Sequence, residues 1–153
     1  MISPDRWQRA AKNVSEVPNL ILFDGVCNLC NASVQFVIRH DRAGKFRFAA
    51  IQSEIGREIF QRHGLDPAKL QTFVFITDGR IFLRSDAAIE VVARFGGAWK
   101  LLRVLSLVPR SLRDAIYSFI AQNRYRWFGR QEVCMIPTPE IKERFLDAPN
   151  SLN

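Results

Sequence analysis

At 153 residues, 48% hydrophobic and 24% charged, the chain is long enough to bury a core without staples and too apolar to remain disordered. Three cysteines are too few, and odd in number, for a disulfide scaffold. The formal charge of +7 is local: Lys100, Arg103, Arg110, Arg113, Arg124, Arg126 and Arg130 against Asp114 alone leave +6 between Trp99 and Arg130, with no helix-turn-helix, zinc-finger or aromatic RNA-binding signature beside it, so nucleic acid is not the expected partner.

Residues 1–18 read as an N-terminal extension without a motif. Asp5, Arg6, Lys12 and Glu16 leave no room for the apolar region of a secretory signal, and the two acids argue against a transit peptide. A cytoplasmic setting is the expectation. The apolar run Leu20–Phe23 reads as a strand, Asp24-Gly25 breaks it, and Cys27 and Cys30 open a periodic helix running to about Arg42. Val34, Val37 and Ile38 share one face of that helix, and Gly44 follows its end. Phe46–Ile51 reads as a second strand, parallel to the first across a right-handed crossover. Ser53 suits the N-cap of a helix through His63 that buries Ile55, Ile59 and Phe60.

Thr72–Thr77 and Arg80–Arg84 are strand-like runs joined by Asp78-Gly79, the signature of a hairpin with a type I′ turn. Ser85-Asp86 are expected to cap the next helix, which carries Ala87, Ala88, Val91, Val92 and Phe95 and closes at Gly96-Gly97. The order β-α-β-α-β-β-α, with a C-x-x-C opening the first helix, is the thioredoxin-like arrangement. It predicts an α/β core over residues 19–98, with a four-stranded mixed sheet flanked by helices on both faces. Residues 99–153 add a C-terminal helical segment. Trp99–Leu107 is mostly apolar, and Pro109 suits the first position of a helix presenting Leu112, Ile116, Phe119, Ile120 and Trp127. Neither stretch holds the ~20 apolar residues of a membrane span. Packing of this segment on the core is the preferred expectation, and amphipathic contact with a membrane surface is the sharper alternative.

The chemistry lies in Cys27 and Cys30. Residues three apart on a helix share a face, so the two sulfurs can meet, and the free N–H groups of a first helical turn favour a thiolate. Zinc would need two more ligands, and Cys134, His40 and His63 stand in no paired spacing, so a redox dithiol without metal or cofactor is preferred. Asp24 is either a general base for Cys30 or a turn residue accepting backbone N–H groups. Phosphatase chemistry of the haloacid dehalogenase type needs an aspartate at position 22, which is Leu22. Cys134 reads as a small buried hydrophobe, and Tyr125 and Trp127 as packing residues or walls of the active site.

Asp24, Cys27 and Cys30 within FDGVCNLC, then DGRIFLRSDAA from Asp78 and NRYRWFG from Asn123, resemble the DCC family of thiol-disulfide oxidoreductases over roughly residues 19–140. The resemblance implies a thioredoxin-like domain with dithiol chemistry and raises the standing of Asp24 as a site residue. Thioredoxins place a cis-proline just before the third strand. Here Leu70-Gln71-Thr72 stand there, with Pro67 the nearest proline, and Asn28-Leu29 separate the cysteines. Substrate pairing is therefore expected to be organised differently. Cys27, nearer the helix tip and expected to be the more exposed, would attack and form a mixed disulfide with its substrate, the expected partner being a disulfide-bearing protein or small thiol substrate. Cys30 would resolve the mixed disulfide, and an unidentified reductant would restore the pair. The competing reading is a redox-inactive binding module, membrane-peripheral through its basic C-terminal helices.

Overall fold

In the computed structural model, which describes residues 19–66, 73–130 and 144–146, the run Leu20–Phe23 forms strand β1 with all four side chains buried. A strand without a polar position suits a sheet covered on both faces, because alternate side chains point to opposite sides. Ile21 and Phe23 enter one core and Leu20 and Leu22 another. Strand β1 pairs in parallel with β2 (Arg47–Ala50) and antiparallel with β3 (Val74–Thr77), which pairs antiparallel with β4 (Arg80–Leu83). The sheet order is β2-β1-β3-β4. Asp78 and Gly79 both hold positive φ, 51° and 72°, the geometry that a type I′ hairpin turn demands and that the Asp-Gly pair predicts.

Helices α1 (Asn28–His40) and α3 (Arg84–Ala93) cover one face through Val34, Val37, Ala87 and Val91. Helix α2 (Glu54–Arg62) covers the other through Ile59 and Phe60. This α/β fold, a four-stranded mixed sheet flanked by helices, is the thioredoxin-like arrangement expected from the element order. Helix α1 stops at His40, two residues before the predicted Arg42, because the buried Asp41 is used elsewhere. Its carboxylate accepts the backbone N–H groups of Lys45 and Phe46 and pairs with Arg144.

Ser53 caps α2 as predicted, its hydroxyl oxygen accepting the Gly56 N–H at 3.0 Å. The turn brings the helix so close to β2 that a Cβ on Gly56 would lie 2.2 Å from the Ala50 carbonyl oxygen. Gly56→Ala should therefore destabilise the fold by about 1–3 kcal/mol in urea unfolding, the usual cost of overpacking, although alanine is the better helix former.

Ser85 and Asp86 do not cap α3, which begins at Arg84 with Leu83 at the cap position and no side-chain cap. They lie in its first turn and bind the C-terminal helix instead. Ser85 donates to Asp114 at 2.5 Å, while Asp86 pairs with Arg113 at 2.8 Å and Arg110 at 2.9 Å. The helical segment starts as a 3-10 helix (Gly97–Leu107) with no buried residue and continues as α4 (Arg110–Phe128), with Pro109 at the cap position rather than inside. The segment does touch the core, through α3 and α1, but not by the face anticipated. Leu112, Ile116, Phe119, Ile120 and Trp127 are 40–59% exposed, because the opposite face of α4 finds polar partners inward: Arg113 and Asp114 on α3, Tyr117 accepting the Phe73 N–H, and Arg124 on Asp24. Among the described residues, no helix is long and apolar enough to cross a membrane.

Candidate active site

The end of β1 delivers Asp24, and the turn after it places Cys27 at the N-cap of α1 in an extended conformation. Cys27 Sγ accepts the Cys30 backbone N–H at 3.4 Å, the sulfur counterpart of a serine cap. Both cysteines are free thiols. Cys27 is not the more exposed of the two, as the sequence suggested: it is 0% exposed and Cys30 1%. The covering element is the end of α4. Residue Arg130 forms a β-bridge with Cys27, the Asn28 N–H donates to the Gly129 carbonyl, and Asn28 Nδ2 donates to the Phe128 carbonyl at 2.8 Å.

What separates the two thiols is electrostatic. The Cys30 thiol donating to the Cys27 sulfur draws the Cys27 pKa down to about 6, helped by the Cys30 backbone N–H and the Arg124 charge against burial and Asp24. The same hydrogen bond, together with burial, pushes Cys30 far up. One thiol is thus set up to be a thiolate near neutral pH while its neighbour keeps the proton.

Beneath them the Asp24 carboxylate is saturated with donors. Its Oδ1 accepts the Val26 N–H at 3.1 Å and Gln52 Nε2 at 2.6 Å, and its Oδ2 accepts Arg124 at 3.1 Å and the Tyr125 hydroxyl. Gln52 also accepts the Gly25 N–H at 3.0 Å, so the turn is tied to the residue following β2. Burial raises the Asp24 pKa, but the hydrogen bonds from Tyr125, Gln52, Arg124 and Val26 outweigh it and the net shift is downward. Burial and the bond to Asp24 push Tyr125 up. The Arg124 guanidinium is buried, 4.3 Å above the Tyr125 ring, and also donates to the Ala121 carbonyl.

The three predicted site residues are therefore brought together, and α4 supplies two more. Arg124 was counted in the sequence only among the cations of the basic C-terminal stretch, and Tyr125 as a packing residue or wall. Both stand in the NRYRWFG block, and that block was the available signal. Gln52 carried none. His40 lies in an aromatic cluster with Phe36, Phe95 and Trp99 at the far end of α1, and His63 is the C-cap of α2. No group of three or more potential metal ligands occurs among the described residues. Cys134, Pro67 and the stretch Leu70-Gln71-Thr72 lie outside them.

Residues 21–130 match the DCC1-like thiol-disulfide oxidoreductase family. The chain is 48% identical over 132 residues to the uncharacterized protein YuxK of Bacillus subtilis, across 86% of this chain and 96% of that protein. It is 38% identical over 116 residues to a DCC family protein of Arabidopsis thaliana described as chloroplastic, across 75% of this chain and 67% of that one. No solved structure matches it.

Proposed function

Because the chain belongs to the DCC1-like thiol-disulfide oxidoreductase family, we propose that it catalyses thiol-disulfide exchange with Cys27 as attacking thiolate and Cys30 as resolving thiol. The observation that carries this reading is the placement of the pair, with Cys27 at the N-cap of α1, its Sγ accepting the Cys30 backbone N–H at 3.4 Å, and Cys30 in the first turn behind it, a setting that lowers the Cys27 pKa. The Cys27 thiolate attacks one sulfur of a substrate disulfide. A Cys27–substrate disulfide forms and the other substrate sulfur leaves as a thiolate. Cys30 then loses its proton and attacks Cys27 Sγ, closing a Cys27–Cys30 disulfide and releasing the second substrate thiol. The substrate gains the two electrons that the cysteine pair gives up, and a second dithiol or a low-molecular-weight thiol restores the pair. A disulfide-bearing protein or the disulfide form of a small thiol is the substrate class, and a cytoplasmic setting, where thiols are kept reduced, suits the cycle. Since Cys27 is buried, the chain at Phe128, Gly129 and Arg130, where α4 ends and bridges to Cys27, has to yield before a substrate can approach.

Asp24 fits a positioning role better than a general base. A carboxylate with four donors and a depressed pKa accepts a proton poorly. Its work is to hold the turn and keep Arg124 near the Cys27 sulfur.

Trapping tests the assignment. With a disulfide substrate, Cys30→Ser should accumulate a mixed disulfide detectable by intact mass, and Cys27→Ser should accumulate none. The opposite pattern would reverse the roles, and trapping by neither variant would remove the exchange mechanism.

A further inference from the structure

We infer that the outer face of the 3-10 helix and α4 docks on an anionic lipid surface. The amphipathicity of α4 is inverted relative to an ordinary surface helix. Its inward side carries Arg113, Asp114, Tyr117 and Arg124 in hydrogen bonds to the core, while Ile116, Phe119 and Trp127 face outward at 51–59% exposure. The preceding 3-10 helix repeats the pattern at its own period. A three-residue turn aligns Leu101, Val104 and Leu107 on one side, and they are 71%, 61% and 82% exposed. Two consecutive elements thus leave apolar stripes uncovered among the described residues, beyond the scattered exposed leucines common on surfaces.

Charge selects the occupant. The one acid between Trp99 and Arg130 is Asp114, and it is bonded inward to Ser85. Lys100, Arg126 and Arg130 are exposed, and Arg126, seven residues after Phe119, shares its side of the helix. A second copy of the chain would bring like charges together. A convex apolar helix face edged by arginine and aromatic rings fits the boundary between headgroups and acyl chains, where anionic lipid meets the cations and the apolar side chains leave water.

Co-sedimentation of the full chain with vesicles tests this. Vesicles of mixed phosphatidylglycerol and phosphatidylcholine should retain the protein about tenfold better than phosphatidylcholine alone. Two variants separate the contributions: Ile116→Asp/Phe119→Asp removes apolar contact, and Lys100→Glu/Arg126→Glu reverses charge. Each should lower partitioning about tenfold while disulfide exchange in solution stays at the wild-type rate. Equal binding to both vesicle types, no binding to either, or partitioning unmoved by both variants would overturn the inference. So would a concentration-dependent dimer in ultracentrifugation that Ile116→Asp/Phe119→Asp dissolves, since the face would then belong to a second copy.

Discussion

Replacing Arg124 by methionine should cost the fold about 3 kcal/mol in urea unfolding, since it leaves the Asp24 carboxylate buried without its counter-ion. Both side chains are nearly sequestered, at 7% and 6% exposure, so water cannot take over the role of the guanidinium. Tyr125, Gln52 and the Val26 N–H remain as donors, which keeps the loss at the lower end for a broken buried pair. Asp24→Asn should cost a comparable amount by stranding Arg124. Combined with Arg124→Met it should recover much of the loss, because two neutral side chains need no partner charge. The pH dependence identifies the cause. The folded Asp24 pKa is depressed below 3.8, so its stabilisation is present above that value and is lost as pH falls through the lower folded value. The gap between wild type and Arg124→Met should therefore narrow in acid, where the stranded carboxylate takes up a proton. A gap independent of pH would assign the loss to packing alone.

That ion pair also marks where the sequence stopped being legible. Strand β1, the hairpin at Asp78-Gly79 and the Ser53 cap each follow from a local rule: a fully apolar run, a dipeptide that tolerates positive φ, and a hydroxyl one turn ahead of a free N–H. The thioredoxin-like order follows from their sum. Cys27 and Cys30 were legible because spacing on a helix is itself geometry. Arg124 was not, because its pairing with Asp24 spans a sequence separation of 100 and nothing local tells a buried arginine from a solvated one. The charge count treated all seven cations of the stretch alike. The fold divides them, sending Arg113 and Arg124 inward and leaving Lys100 and Arg126 outside.

The same division explains why the periodicity of α4 misled. A stripe of Leu112, Ile116, Phe119 and Trp127 predicts packing on the core, because apolar burial usually decides which way a surface helix turns. Here polar groups on the opposite side had specific partners already in place: the Asp24 carboxylate, Asp86 and the Phe73 N–H. Leaving those groups unpaired would cost more than leaving one apolar stripe wet. The misplaced Ser85-Asp86 cap has the same origin, since both side chains face α4 and not their own helix end.

The reactivity of Cys27 should follow a single titration near pH 6. With its pKa at about 6, about nine-tenths of Cys27 is thiolate at pH 7, against about one in a hundred for a thiol at the ordinary 9.0. Alkylation by iodoacetamide, once corrected for access to the buried sulfur, should rise tenfold per pH unit below 6 and level off above about 7. The charged and titratable groups around it are Cys30, Asp24 and Arg124. Cys30 is the largest of these influences, so Cys30→Ala should move the midpoint upward, and Arg124→Met should do so to a smaller extent. Cys27→Ala should abolish the fast phase. The same shift sets the sign for stability. A folded pKa depressed from 9.0 to about 6 stabilises the reduced protein fully above the unfolded value and loses that contribution as pH falls through 6. The reduced form should therefore gain stability between pH 6 and 9, whereas an oxidised Cys27–Cys30 form, with no thiol to titrate, should not. Reduced and oxidised melting curves that stay parallel across that range would mean that Cys27 is an ordinary thiol.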